Sequence, residues 1–165
     1  MDVALDRLSR RALTRQELRT RLQEKGFQHS DILQVLEKLE AWGYLNDREL
    51  AVTFSKNRLR RYSRRRVQLD MRNRGLEKPL IEDALATTYS AQGELQQCLT
   101  LANQWWEQEA KRWEQQREKE MLKKPVSREM WIQQRIGRKL IQRGYPSDMV
   151  WNVLSQLHSI SFEGE

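Results

Sequence analysis

Cysteine, histidine, proline and glycine are all scarce in this chain, and each scarcity removes a class of chemistry. The single cysteine, Cys98, permits no internal disulfide and fits a reducing compartment. It lies on an apolar helical face, where packing is the expectation rather than nucleophilic chemistry. The only histidines, His29 and His158, stand near no cysteine or acidic pair at metal-ligand spacing. Glycine-rich phosphate loops, GxSxG and HExxH are absent. Seven glycines and three prolines argue against long loops. No apolar run approaches the ~20 residues needed to cross a bilayer, and no apolar stretch follows Met1-Asp2-Val3 as in a signal peptide. The expectation is a soluble cytoplasmic protein that is not an enzyme, holds no metal or cofactor and contacts no membrane.

What the chain has instead is charge. Charged residues make up 32% of it, and the net charge is +7. That is too polar for one thick core but ordinary for thin helical layers. The basic excess points to an acidic partner, with nucleic acid the first candidate.

It also has a repeat. The segment Leu18–Phe27 recurs as Val67–Leu76 and again as Ile136–Tyr145. Each copy carries apolar residues four apart, then a basic residue, a glycine and a large apolar residue. The match continues without a gap: Ile32, Ile81 and Val150 align, as do Val35, Ala84 and Val153, and Leu36, Leu85 and Leu154. A repeated unit implies one long surface rather than a single cleft.

Helix signals are dense and period-2 strand signals nearly absent. Thr14-Arg15-Gln16-Glu17 reads as a capping box, opening a helix that stops at Gly26. A helix from about Val3 to Arg11 precedes it, and Ser30 is expected to cap the next, with Ile32, Leu36 and Leu39 on one face. Asp47 starts a helix through Leu59, Ser63 caps one ending at Gly75, and Pro79 occupies a first-turn position. Ser147 is expected to cap the last helix. The reading is an all-α, elongated, solenoid-like array of three three-helix repeats: residues 1–45, 46–90 and 91–165. The third carries a helical insertion over about 105–125, because Gly75 and Gly144 stand 69 residues apart while Gly26 and Gly75 stand 49 apart. Past Trp113 the insertion reads as a solvated charge run, broken by Lys123-Lys124-Pro125. Trp42, Trp106 and Trp151 fit core stripes, whereas Trp105 and Trp113 are less readily assigned. A repeat array needs no second copy to be stable, so a monomer is expected.

Charge is concentrated in the second repeat. From Lys56 to Lys78 the positive residues are Lys56, Arg58, Arg60, Arg61, Arg64, Arg65, Arg66, Arg72, Arg74 and Lys78, opposed only by Asp70 and Glu77. Arg64, Arg65 and Arg66 fall in a first helical turn, where cations oppose the macrodipole. A local choice that works against folding suggests function. Phosphate contact is the functional reading, since each neutralised duplex phosphate releases counterions. An alternative is a helix-turn-helix regulator of transcription. No helix shows a compact Arg, Asn and Gln reading face, which favours backbone contact.

The second repeat also carries a resemblance. Gly43-Tyr44-Leu45-Asn46-Asp47, followed by Ala51, Phe54, Arg58, Tyr62, Leu69 and Arg74-Gly75-Leu76, resembles the central signature of the bacterial RecX family of recombination regulators. Two departures are Ser63, where the family commonly has glycine, and the Glu/Gln/Lys-rich insertion before Trp131. The resemblance implies a non-enzymatic modulator of the RecA recombinase. Such a protein binds the RecA nucleoprotein filament along its groove, suppresses strand exchange, ATP hydrolysis and coprotease activity, and also binds single- or double-stranded DNA. The family-motif residues would then be Gly43, Tyr44, Leu45, Asp47, Phe54 and Gly75.

Overall fold

The computed structural model describes residues 1–88, 90–118 and 127–162. These form nine α-helices and no strand. They are α1 (Asp2–Arg10), α2 (Arg15–Glu24), α3 (His29–Ala41), α4 (Asp47–Leu59), α5 (Arg64–Asn73), α6 (Lys78–Thr88), α7 (Ala91–Glu118), α8 (Arg128–Gln142) and α9 (Ser147–Phe162). The chain is therefore all-α and built on three-helix repeats. The proposed breaker Lys123-Lys124-Pro125 lies outside the described residues.

The repeated glycines end α2, α5 and α8 in the same way. Gly26, Gly75 and Gly144 have φ of 82°, 78° and 88°. The amide after each reaches back to Leu22, Met71 and Leu140, at 3.3, 3.2 and 3.2 Å. This is the double-bonded helix stop that glycine makes cheaply. The next helix then starts two residues later, from the carbonyls of Gln28, Glu77 and Pro146. Ser30 and Ser147 thus do not cap. Both lie inside the first turn, because the stop itself fixes where the following helix begins.

The described residues divide into two compact units, Met1–Arg58 with Val67–Thr88, and Leu59–Arg66 with the residues after Thr88. In the first, Ala4, Leu13, Leu18, Leu22, Ile32, Leu36, Leu39 and Leu45 form one core. The capping box beside it has a second task. Thr14 Oγ1 accepts the Glu17 amide at 3.0 Å and donates to the Arg74 carbonyl at 2.6 Å. Glu17 in turn receives Arg74 Nε and Nη2 at 3.1 and 2.8 Å, and Arg74 also reaches the Ala12 carbonyl at 2.9 Å. Burial pushes the Glu17 carboxyl up, but the bonds from Arg74 and the Thr14 amide, with the charges of Arg74 and Arg11, outweigh it and hold the pKa below the ordinary range. Lysine cannot reproduce the fork. Arg74→Lys is expected to cost about 1–2 kcal/mol, read as a lower chemical-denaturation midpoint.

The second unit has its own core of Cys98, Leu101, Ala102, Ala110, Ile132, Ile136, Leu140, Tyr145, Val150, Val153, Leu154 and Leu157. Burial, with the nearby Glu94 charge, pushes the Cys98 thiol up to about 12, so it stays protonated and inert. Here the same joint recurs. Ser63 donates its amide to the Arg143 carbonyl at 3.0 Å, and Arg143 Nη1 reaches the Arg61 carbonyl at 3.2 Å. Arg74 and Arg143 are the equivalent basic residues before the glycine. Each grips a carbonyl two residues ahead of an N-cap, Thr14 or Ser63.

Beyond Trp113 the described side chains of α7 are largely exposed, as the solvated reading expects, whereas charge and aromatic residues ahead of that stretch are not. Glu109 is fully buried and bonded to Arg135, to Lys139 Nζ at 2.5 Å and to Arg112 at 3.1 Å. Trp113 is also buried, its ring 5.5 Å from Trp131. Two tryptophans go the other way: Trp42 is 59% and Trp151 73% exposed. At about 100° per residue, Trp151 sits a quarter-turn off the stripe of Val150, Val153, Leu154 and Leu157. Trp42 lies past the last turn of α3, where the chain reverses at Gly43.

Candidate functional site

The basic segment from Arg60 to Arg66 occupies the turn into α5, within the second unit. Its backbone is tightly held. Gln97 donates to the Arg60 carbonyl at 2.7 Å, Arg143 holds the Arg61 carbonyl, and the Arg64 amide donates to Glu94 Oε1 at 2.9 Å. Ser63 Oγ accepts the Arg66 amide at 3.1 Å. Glu94 thereby places a carboxylate at the N-terminus of α5, which relieves the conflict between three arginines and the macrodipole. With the main chain fixed, Arg60, Arg61, Arg65 and Arg66 expose their side chains, while Arg64 is half-buried.

The remaining sequence-predicted cations lie in the first unit and divide by role. Lys56 and Arg72 are exposed. Arg58 pairs with Asp70 at 2.7 Å and Arg74 with Glu17, and both guanidiniums lie over the Phe54 ring, at 5.6 and 5.3 Å. These two are engaged inside their unit.

Sequence reasoning missed a column on α8. Arg135 lies 4.7 Å from the Trp131 ring, Lys139 5.3 Å from Trp105, and Arg143 4.8 Å from Tyr62 and 5.6 Å from Trp105. The four-residue spacing from Trp131 through Arg143 stacks them on one helical face. The signal was available: Arg143 aligns with Arg74 in the repeat.

The motif residues are mostly structural. Gly43 ends α3 at φ 74°, Leu45 is buried, the Asn46 side chain caps the Glu49 amide at 3.0 Å, and Asp47 accepts the Arg15 amide at 2.8 Å. Tyr44 differs, at 62% exposed. It borders a groove of about 470 Å³ in the first unit, floored by Leu13, Leu50 and Phe54. Among the described residues no cluster of His, Cys, Asp or Glu could hold a metal ion, and no helix is long and apolar enough to cross a membrane.

Comparison with known proteins places this arrangement. Residues 1–39 match the family model "RecX, first three-helix domain", and residues 46–85 match "RecX, second three-helix domain". The chain belongs to the RecX family. Regulatory protein RecX of Chromobacterium violaceum is 28% identical over 152 residues, covering 92% of this chain and 86% of that one. Its counterpart from Caldanaerobacter subterraneus subsp. tengcongensis is 34% identical over 90 residues, 54% of this chain. The matched stretch spans 46% of that relative and 61% of the Clostridium perfringens RecX. A crystal structure of RecX from Lactobacillus salivarius superposes with a TM-score of 0.69 over 95% of this chain and 93% of that one, at 21% identity. At that identity the likeness speaks to the RecX helical fold.

Proposed function

We propose that the chain is a non-enzymatic regulator that binds the RecA nucleoprotein filament and its DNA. It inhibits the recombinase, ATPase and coprotease activities of RecA, and so modulates recombination, DNA repair and the SOS response. It acts in the cytoplasm as a monomer. The observation that carries this reading is the turn into α5, where a pinned backbone presents Arg60, Arg61, Arg65 and Arg66 to solvent. A fixed main chain lowers the ordering cost of meeting a regular polyanion, and guanidinium groups match both phosphate and carboxylate geometry. Membership of a family of regulatory proteins supports the choice of partner, and weak contacts repeated along a filament add by effective concentration.

The test is DNA-dependent ATP hydrolysis by RecA, with filament length measured in parallel, at sub-stoichiometric and saturating ratios of this protein. Loss of hydrolysis is expected. Inhibition far below stoichiometry would assign it to filament ends, and inhibition only near saturation to filament sides. Unchanged hydrolysis at saturation, together with selection of one duplex sequence from a random pool, would replace this reading with the transcription-regulator alternative.

A further inference from the structure

The groove in the first unit is not explained by contact with DNA. Its floor is apolar, made by Leu13, Leu50 and Phe54, and Tyr44 stands exposed at its lip. Its wall has two guanidiniums, Arg58 and Arg74, but each is matched by a buried or half-buried carboxylate, Asp70 or Glu17. Glu49 is a carboxylate of the lining itself. With both guanidiniums already paired and Glu49 in the lining, the groove has no unmatched positive charge to offer a phosphate polymer, in contrast to the arginine-rich turn of the second unit. Uncharged polar side chains such as Asn46 complete the rim and suit a peptide backbone.

We propose that this groove receives an apolar side chain, aromatic or long aliphatic, from a segment of the protein partner. The assignment rests on the RecA reading above and divides its two contacts: the groove takes protein and the arginine turn takes polyanion. Phe54 is fixed for the purpose, since the Arg58 and Arg74 guanidiniums stack on its ring and are themselves held by carboxylates. An anchoring side chain entering a preformed apolar site gains most of its burial without reordering the site.

Two substitutions at exposed positions test this without touching the core. Thr53→Trp adds a ring at the groove lining, and Tyr44→Ala removes the lip. Binding is measured to RecA without DNA, to RecA assembled on single-stranded DNA, and to naked single-stranded DNA. Both variants are expected to lose at least about tenfold in affinity for DNA-free RecA and for the filament, with naked DNA bound as by wild type. Naked-DNA binding reports on the second unit alone, so wild-type helical content and a wild-type denaturation midpoint of each variant are the control for folding of the first. Wild-type affinity for RecA in both variants would overturn the groove assignment alone, and so would an equal loss for naked DNA, which would make the groove a nucleic-acid site. Failure of the wild-type protein to bind RecA in either form would overturn the parent reading, and this assignment with it.

Discussion

Replacing Glu109 by alanine is expected to lower the stability of the second unit by about 3 kcal/mol, a figure at the lower end for removing one partner of a buried charge cluster. The carboxylate is fully buried, whereas Lys139 and Arg135 keep 29% and 37% of their side-chain exposure, so water partly screens the cations left behind. Chemical denaturation should show a lower midpoint. Glu114→Ala serves as the comparison. That side chain is 64% exposed and pairs with Arg128 at 3.5 Å, so its loss should change stability by less than about 0.5 kcal/mol.

Acid should mimic the Glu109 substitution. Burial pushes the Glu109 carboxyl up, but the hydrogen bonds and charges of Lys139 and Arg135 outweigh it and leave the pKa lowered. A carboxylate whose folded pKa lies below its unfolded one contributes stability that is full above about 4.3, the ordinary glutamate value. The contribution is lost as pH falls through the depressed folded value. Glu17 shifts in the same direction, so both units should weaken together in strong acid.

The second large effect is expected at Gly144. A Cβ built there would stand 2.7 Å from Ser63 Oγ and 2.8 Å from Arg66 Cβ, on a backbone at φ +88°. Gly26 shares the left-handed backbone but faces open space. Gly26→Ala should therefore cost only the conformational penalty, about 1–2 kcal/mol. Gly144→Ala adds overpacking against the turn and should cost about 3 kcal/mol or more. Because the displaced atoms belong to Ser63 and Arg66, the same change should also weaken binding to polyanions, whereas Gly26→Ala should not.

The difference between these two glycines shows what the sequence makes legible and what it does not. Helices and their stops are local events, and the three glycine-terminated segments announce them. Positions aligned across the copies, such as Ile32, Ile81 and Val150, or Leu36, Leu85 and Leu154, are buried in every one. The joint between repeats is not local. Nothing near Gly144 says that Ser63 approaches it, and nothing near Arg74 names Glu17 as its partner across 57 residues. The capping box at Thr14 was readable from four residues, but its use as a grip on Arg74 was not. Single charges mislead for the same reason. Nothing in the sequence around Glu109 foretells its burial, which depends on the arrival of Arg135 and Lys139 from α8. Tryptophan misleads in the opposite sense, since one position of helical phase separates Trp151 from a core residue.

The candidate site divided along the same line. Composition located the arginine-rich window, and burial then separated it. Arg58 and Arg74 pair with carboxylates and stack on Phe54, whereas Arg60, Arg61, Arg65 and Arg66 face solvent. The backbone bonds from Gln97, Glu94 and Arg143 that fix the turn come from positions at least 30 residues away in sequence.

The central claim is that this pinned arginine turn is the polyanion contact, and the salt dependence of binding measures it most directly. Affinity for RecA filaments on single-stranded DNA should be titrated against salt for the wild type and for a variant carrying Arg60→Ala, Arg61→Ala, Arg65→Ala and Arg66→Ala. At roughly 0.7–0.9 per phosphate contact, the variant should lose about 3 from the slope of log affinity against log salt. Its helical content should be unchanged, because every backbone bond of the turn remains. A variant that binds with the wild-type affinity and the wild-type slope would contradict the account.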